Sequence, residues 1–312
     1  MFRSAFSVVS PAGERARLSI LIFHRVLAER DQLFPDEVDA GRFNCIIGWL
    51  KQWLTILPLD DALMRLRRGD LPARAAAITF DDGYADNLML AAPILQQHGV
   101  TATFFIATGF LDGGRMWNDT VIESIRSTNQ PIIDACFLGL GCLAILETKD
   151  KKASLARLIT AIKHLPREQR SIAVTRIAES CQTKLPDDLM LTSNQLKELR
   201  NMGMGIGAHT VNHPILAMTD DDNARQEIAD GRDFLEGLLG ERIGLFAYPN
   251  GRIANDYTQA HADMVKKLGF DAALTTQWGV SRTNSDFYHL PRFTPWDRTR
   301  TRFGLRLLLN TR

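Results

Sequence analysis

Short apolar segments alternate with longer segments of helical periodicity along most of the chain. The apolar segments are short and β-prone, as expected for buried strands, and they lie at residues 18–23, 75–80, 102–106, 204–208, 244–247 and 271–274. The main helical segments lie between them, at residues 43–54, 60–68, 85–98, 223–239 and 256–268. This alternation predicts βα units around a mostly parallel sheet.

The rhythm changes between residues 114 and 201. Here the helical segments 152–164, 167–181 and 193–201 follow one another with little strand signal. We interpret residues 115–201, approximately, as a helical insertion within a single catalytic domain that spans residues 1–312. Ser193 is predicted to be the N-cap of the last of these helices.

Composition and charge are those of a globular protein. The chain has 312 residues, of which 45% are hydrophobic and 23% charged. Its 37 basic residues nearly balance 36 acidic ones, so no nucleic-acid partner is expected. The four cysteines, Cys45, Cys136, Cys142 and Cys181, include no C-x-x-C pair, and we predict that they are reduced core residues.

Neither a membrane span nor a signal peptide is predicted. The longest apolar segment, residues 135–146, contains two glycines and is shorter than the ~20 residues that cross a bilayer. Residues 1–10 lack a sustained hydrophobic region. We therefore expect the protein in the cytoplasm or at the cytoplasmic face of the membrane.

Polar side chains follow four of the predicted strands, at the point where each strand ends. His24 follows the first strand, Asp81 and Asp82 the second, His209 the fourth, and the segment 248–251 the fifth. Because parallel strands present their C-terminal ends on one side of an α/β fold, we expect these groups to meet there.

These residue types are suited to metal-assisted hydrolysis. Asp82, His209 and His213 offer one carboxylate and two imidazoles, which leaves an open position at a metal ion for water. Asp81 is then placed to take the proton of that water. Asp-Asp-Gly is also typical of a simple turn, and two histidines four apart often lie on a surface helix, although Pro214 disfavours a helix here.

Three motifs in this chain resemble those of the polysaccharide deacetylase family, the NodB-homology group of carbohydrate esterases. They are residues 79–84 (Thr-Phe-Asp-Asp-Gly-Tyr), 209–214 (His-Thr-Val-Asn-His-Pro) and 246–251 (Phe-Ala-Tyr-Pro-Asn-Gly). The resemblance runs from about residue 19 to about residue 295. It implies an α/β fold, a distorted (β/α)7 barrel, and metal-dependent removal of N-acetyl groups from an amino-sugar polysaccharide or glycan precursor. The implied cofactor is a divalent ion, Zn²⁺ first, with Co²⁺ or Ni²⁺ as alternatives.

The resemblance also implies roles for individual residues. Asp81 matches the family's catalytic base, and Asp82, His209 and His213 match its metal ligands. The sequence that ends in His24, Leu-Ile-Phe-His, looks like the family's Leu-x-His motif moved to the N-terminus, as in the subgroup resembling poly-N-acetylglucosamine deacetylases. His24 is therefore predicted to be the general acid.

The third motif departs from the family pattern. Ala247 stands where the family has an arginine that orients the base, and Asn250 stands where it has a tyrosine. The backbone N–H of Asn250 can still donate to an oxyanion. Arg292 is our candidate to replace the arginine, with a surface arginine as the alternative. Trp117 is a candidate sugar platform, although a core tryptophan fits its sequence context equally well.

Two other functions stay open. The missing arginine allows a same-fold amidase that acts on a cyclic imide or ureide. The other is an inactive carbohydrate-binding homologue, against which the presence of both aspartates and both histidines argues.

The C-terminal segment 292–312 carries six arginines against one acidic residue, Asp297, among several leucines. It is predicted to form a helix packed on the barrel, with peripheral contact to an anionic membrane as the alternative.

Overall fold

The computed structural model describes residues 2–311, and its contacts divide the chain into two compact units. The first unit consists of Met1–Glu29, Glu37–Asp112 and Leu191–Arg312, and the second of Arg30–Asp36 and Gly113–Met190. The strands, in chain order, are β1 (Ser19–Phe23), β2 (Thr55–Ile56), β3 (Ala75–Phe80), β4 (Thr103–Ile106), β5 (Ile132–Asp134), β6 (Cys142–Ala144), β7 (Gly205–Ala208), β8 (Leu245–Ala247) and β9 (Ala272–Leu274). The helices are α1 (Phe2–Val9), α2 (Ala40–Trp53), α3 (Leu59–Arg68), α4 (Ala92–Gln97), α5 (Trp117–Ser127), α6 (Thr148–Lys163), α7 (Arg167–Cys181), α8 (Ser193–Asn201), α9 (Asp221–Leu239), α10 (Gln259–Lys267) and α11 (Arg300–Asn310).

A seven-stranded parallel sheet forms the centre of the first unit. Its order is β1-β3-β4-β7-β8-β9, with β2 beside the start of β3. Every residue of β1, β3, β4 and β9 is buried. Strands covered on both faces lose the apolar–polar alternation, which explains their continuous apolar runs.

Residues 290–293 join the two edges of this sheet. The backbone N–H of Leu290 donates to the carbonyl of Ala273 in β9 at 3.0 Å, and that of Phe293 donates to Ile20 in β1 at 2.7 Å. The sheet therefore curls into the distorted barrel that the family resemblance implied, and that fold class is confirmed.

The predicted elements and the observed ones differ mainly at short segments. All six predicted strands are present within one residue of their predicted ends, whereas the short strands β2, β5 and β6 were not predicted. The helix predicted at 85–98 is divided into a π-helical turn, Asn87–Ala91, followed by α4. The N-cap assigned to Ser193 was wrong: Thr192 caps α8 in a capping box with Gln195.

The second unit overlaps the predicted insertion but differs from it in its bounds and in its elements. It spans 113–190 together with 30–36, so α8 belongs to the first unit and not to the insertion. It also contains an antiparallel hairpin, β5–β6, beside its helices α5, α6 and α7. It has its own apolar core, which includes Val121, Leu158 and Ile177.

The cysteine prediction was partly wrong. All four cysteines are free, but only Cys181 is buried, and Cys45, Cys136 and Cys142 are exposed. A short cysteine side chain can face water from an otherwise apolar segment, so sequence context alone misplaced these three. Among the described residues no helix is both long and apolar enough to cross a membrane.

Candidate metal and catalytic site

The candidate residues of the first unit stand where parallel strands end. His24 follows β1, Asp81 and Asp82 follow β3, and His209 follows β7. The backbone N–H of Asp81 donates to the carbonyl of Phe23 at 3.0 Å. This bond continues the parallel pairing of β1 and β3 and places the two strand ends side by side.

Asp82, His209 and His213 form a compact cluster. Oδ1 of Asp82 lies 3.4 Å from Nε2 of His209 and 3.4 Å from Nε2 of His213. One ligand atom from each residue lies within 4.8 Å of the other two. Oδ1 of Asp82 is buried and accepts no hydrogen bond from any of residues 2–311. A buried carboxylate oxygen without a donor is costly, and a cation held by these three groups would satisfy it.

The protonation of the two imidazoles suits metal binding. Nδ1 of His209 lies 2.7 Å from the carbonyl oxygen of Ala247, so Nδ1 carries the proton and the lone pair of Nε2 faces Asp82. Burial lowers the pKa of His213 to about 4, which keeps this ring neutral at pH 7. Burial acts the same way on His209, but the carboxylates of Asp81 and Asp82 outweigh it and raise the pKa of His209.

Asp81 is held by Arg292. Nη1 and Nη2 of Arg292 donate to the two carboxylate oxygens of Asp81, each at 2.7 Å. Nε of the same guanidinium donates to the carbonyl of Thr275 at 2.7 Å. Burial works to raise the pKa of Asp81, but Arg292 and His209 outweigh it and hold the pKa below its ordinary value. Asp81 is therefore ionised and fixed in orientation, and Arg292 gives it the arginine partner that the third motif, with Ala247, does not supply.

The backbone at this site adopts conformations that side chains usually avoid. Left-handed φ angles occur at Asp82 (78°), Thr210 (65°), His213 (51°) and Asn250 (58°). Each such residue costs of order 1–3 kcal/mol. The surrounding structure therefore has to hold the loops that carry these groups.

Helix α9 braces the loop between the two histidines. The carboxylate of Glu227 accepts hydrogen bonds from the backbone N–H of Val211 at 3.1 Å and of Asn212 at 2.7 Å. One turn further along, a Cβ on Gly231 would lie 2.9 Å from the carbonyl of Thr210, so only glycine allows this approach. We did not identify Glu227 or Gly231 from sequence. Their spacing of four on one helix face was the available signal, and it is too common to single them out.

Asn250 and His24 follow two other strands of the same sheet. Asn250 comes three residues after β8, and its carbonyl accepts a hydrogen bond from Thr276 at 2.6 Å. His24 directly follows β1 and is exposed, and its electrostatic effect reaches Asp81, Asp82 and His213. Both residues therefore lie after the C-terminal ends of parallel strands, as Asp82 and His209 do.

Trp117 lies in the other unit. It begins α5 and packs against the apolar core of the second unit. The guanidinium of Arg170 lies over its ring, 5.4 Å from the centroid. Trp117 is therefore partly buried, and its role as a sugar platform stays a prediction.

Comparison with known proteins assigns the family. The family model described as "Polysaccharide deacetylase" matches residues 68–132 and 143–273, more than half of the chain. The chain belongs to the polysaccharide deacetylase family. Members of this family are hydrolases that deacetylate a polysaccharide, and this polysaccharide deacetylase shares the matched segments that carry Asp81, Asp82, His209 and His213. His24 and Arg292 lie outside the matched residues.

Individual relatives are distant but cover most of the chain. A putative polysaccharide deacetylase, YxkH, from Bacillus subtilis (strain 168) is 21% identical over 279 residues, which is 89% of this chain and 71% of that protein. Among solved structures, the Streptococcus pyogenes deacetylase PplD in complex with acetate has a TM-score of 0.63 at 19% identity, covering 94% of this chain and 98% of that one. IcaB from Ammonifex degensii has a TM-score of 0.59 at 18% identity, covering 97% and 99%. At such identities the two structures establish a shared fold.

Proposed function

We propose that this polysaccharide deacetylase is a metal-dependent N-deacetylase that acts on an acetylated amino-sugar polysaccharide or a glycan precursor. One observation carries the proposal. The Asp82–His209–His213 cluster, in which Asp82 and His209 are buried and His213 is partly buried, leaves Oδ1 of Asp82 without a donor from residues 2–311, beside an Asp81 carboxylate that Arg292 holds.

The residues present fit a divalent transition metal ion. Two neutral imidazole nitrogens and one carboxylate are the ligand types of hydrolytic zinc sites with an open position. We name Zn²⁺ as the ion, with Co²⁺ or Ni²⁺ as alternatives, because all three accept mixed nitrogen and oxygen ligands. When bound, such an ion supplies Lewis acidity toward a carbonyl and lowers the pKa of a water molecule.

Asp81 is proposed to be the general base. Its carboxylate lies 4.0 Å from Nε2 of His209, within reach of a water molecule at the ligand cluster. Arg292 keeps it ionised and fixes its plane through two hydrogen bonds. Asp81 accepts a proton from the water that attacks the acetyl carbon, and that water's oxygen becomes part of the released acetate.

Asn250 and His24 are proposed to complete the reaction. The backbone N–H of Asn250 donates to the oxyanion that develops as the carbonyl becomes tetrahedral. His24, in its protonated form, donates its proton to the departing sugar nitrogen as the C–N bond breaks. The products are a free amine on the sugar and acetate.

Arg292 weakens the case for the cyclic-imide alternative. That alternative depended on the absence of an arginine partner for the base, and Arg292 supplies the partner. The inactive-binder alternative would require loss of a ligand or of the base. All four groups, Asp81, Asp82, His209 and His213, are present in the site.

Acetate release tests the proposed function. The purified protein, with and without added Zn²⁺ or chelator, is assayed on N-acetylglucosamine oligomers, O-acetylated xylan and a cyclic imide. We expect acetate from the N-acetylated oligomers alone, lost on chelation and restored by Zn²⁺. Release from xylan alone would make the enzyme an O-deacetylase, ring opening of the imide would support the amidase alternative, and sugar binding without acetate would indicate a binding homologue.

We also propose peripheral contact between the C-terminal segment and an anionic membrane surface. In α11, Phe303 and Leu307 are buried in the core of the first unit, whereas Leu305 and Leu309 are 49% and 59% exposed. Leu305 stands among the arginines of the segment 298–306 and Leu309 follows them, an arrangement that suits an anionic lipid surface. Co-sedimentation with vesicles that contain or lack an anionic lipid tests this contact, and equal sedimentation with both would contradict it. The cellular location stays a prediction.

A further inference from the structure

A second group of potential ligands lies in the second unit, on the hairpin β5–β6. Asp134 and Cys142 face each other across this hairpin, and Cys136 follows two residues after Asp134. One carboxylate oxygen of Asp134 and the Sγ atoms of the two cysteines all lie within 4.8 Å of one another. All three side chains are exposed, whereas Ile133 and Leu143, the neighbouring pair on the same hairpin, are buried in the core of the second unit.

The hairpin holds the two thiols together. The backbone N–H of Ala135 donates to Gly141 at 3.0 Å, and the N–H of Gly139 donates to Cys136 at 2.9 Å. Gly139 and Gly141 both have φ of 69°, a conformation that most other residues adopt only with strain. The Asp134 carboxylate also accepts the backbone N–H of Cys136 at 2.8 Å. The turn is therefore closed by backbone bonds, and its conformation brings Cys136 back toward Cys142.

We propose that Asp134, Cys136 and Cys142 bind a second divalent transition metal ion of the Zn²⁺ type. Two thiolates and a carboxylate form a set that favours Zn²⁺ or Co²⁺ over Mg²⁺ or Ca²⁺, and an exposed fourth position is left for water. On binding, each thiol loses one proton to solvent. The divalent ion, two thiolates and one carboxylate then form a complex of net charge −1, and two protons are released.

The surroundings offset this negative charge. The guanidinium of Arg176 lies over the ring of Phe137, 4.2 Å from the ring centroid, and Phe137 directly follows Cys136 in the chain. Its positive charge also acts on the Asp134 carboxylate. An ion that joins both strands and binds only the folded protein is expected to stabilise the second unit.

Sulfur ligation distinguishes this site from the one in the first unit. The Asp82–His209–His213 cluster contains nitrogen and oxygen only, so Co²⁺ bound there has no thiolate-to-cobalt charge-transfer band. The experiment titrates the full-length reduced protein with Co²⁺ and records that band in the near ultraviolet. We expect the band to reach full intensity when each molecule holds one Co²⁺ ion at Asp134, Cys136 and Cys142. The band should disappear when Zn²⁺ displaces Co²⁺.

Serine variants supply the controls. Cys136→Ser and Cys142→Ser should each abolish the band, whereas Cys45→Ser, at an exposed cysteine of the first unit, should leave it unchanged. Asp134→Asn should keep the band but weaken Co²⁺ affinity by at least about ten-fold. Circular dichroism in the absence of metal verifies that each variant remains folded.

Two results would overturn the proposal. One is a reduced wild-type protein that shows no charge-transfer band at saturating Co²⁺. The other is a band that survives in both Cys136→Ser and Cys142→Ser. A third measurement is thiol titration of protein purified without reductant, which detects a Cys136–Cys142 disulfide. If that disulfide is present, and the protein shows no Co²⁺ band after the disulfide is reduced, the two cysteines form a redox pair and not a metal site.

Discussion

At the scale of single residues, two adjacent aspartates have opposite surroundings. The chain turns at Asp82 with a φ of 78°, so Asp81 faces Arg292 while Asp82 faces two imidazoles. Both carboxyls are buried, and both have pKa values below the ordinary range, because Arg292 and His209 outweigh burial at Asp81 and His209 and His213 outweigh it at Asp82. Each oxygen of Asp81 accepts a hydrogen bond from Arg292, whereas Oδ1 of Asp82 accepts none from residues 2–311. This difference separates the proposed base from the proposed ligand.

Replacing Asp81 by asparagine should remove most of the turnover and leave metal binding intact. The amide cannot accept the proton of water, and a lost general base typically costs about 10²–10⁴ in rate. The measurements are kcat for acetate release and the metal content of the purified protein. Asp188→Asn, at an exposed position of the second unit, is the control. An unchanged kcat in Asp81→Asn would show that the base is another group.

Replacing Arg292 by lysine should shift the pH dependence of the reaction. Lysine cannot reproduce the two-bond clamp, so the pKa of Asp81 should rise from its lowered value toward the level that burial favours. Because the base acts only when ionised, the acidic limb of the kcat/KM profile should move to higher pH. A carboxyl with a lowered pKa stabilises the fold above its unfolded-state pKa, and that stability is lost as pH falls through the folded-state pKa. The free energy of unfolding of the Arg292→Lys variant at pH 7 should therefore be lower than that of the wild type by about 1–3 kcal/mol.

The pH–rate profile and urea unfolding at pH 7 together test this expectation for Arg292. Arg225→Lys, at an exposed position of α9, should behave like the wild type in both. A variant that loses stability without any movement of the acidic limb would indicate that Arg292 serves the fold and not the base.

At the scale of elements, helix α9 positions the loop that carries His213. Glu227 and Gly231 stand one turn apart, and the first binds the loop backbone while the second makes room for it. Both contacts fall between His209 and His213. The geometry of the ligand cluster therefore depends on a helix that contributes no ligand.

Gly231→Ala should displace this loop. Its Cβ would lie 2.9 Å from the carbonyl carbon and oxygen of Thr210, and overpacking of this kind typically costs about 1–3 kcal/mol. Metal affinity and kcat should both fall.

Gly237→Ala is a matched control on the same helix, because nothing lies within 4 Å of its added Cβ. It should stabilise the helix by about 0.5–1 kcal/mol. Metal titration and thermal unfolding of the two variants measure the difference, and equal behaviour would contradict the bracing role.

Element prediction from sequence succeeded where the signal was long. Strands buried on both faces, such as β3, gave continuous apolar runs, and α7 was predicted with its observed bounds. The strands β2, β5 and β6 have two or three residues each, too few for any periodicity to appear. The consequence was that the second unit was predicted to be wholly helical.

At the scale of the whole molecule, closure of the barrel assembles the site. Asp81 and Arg292 are 211 positions apart in sequence, and residues 290–293 bring them together by pairing with both β9 and β1. The same segment therefore joins the sheet edges and delivers the arginine. Damage to this closure would affect the fold and the proposed base together.

Metal removal should lower the stability of the first unit. Binding to the folded state alone contributes about 2.7 kcal/mol at a free concentration of 100 times Kd. Differential scanning fluorimetry with Zn²⁺ and with chelator measures the effect. We expect Zn²⁺ to raise Tm, and to raise it less in Asp82→Asn than in the protein that retains Asp82. Both proteins carry Cys136→Ser, which excludes binding at the sulfur ligands. Equal shifts in the two proteins would show that Asp82 is not a ligand.

The sequence by itself determined the six longer strands and the groups at the strand ends, because apolar periodicity and strand-end chemistry are local properties, and its family resemblance implied the barrel class. It also singled out Arg292 as a candidate, but as one of six arginines in its segment. Only the tertiary structure decided that Arg292 clamps Asp81, that Glu227 braces the histidine loop, and that three of the four cysteines face solvent. Those outcomes depend on which distant segments pack together and on the free energy of burying charge. Neither is encoded within the span of one element.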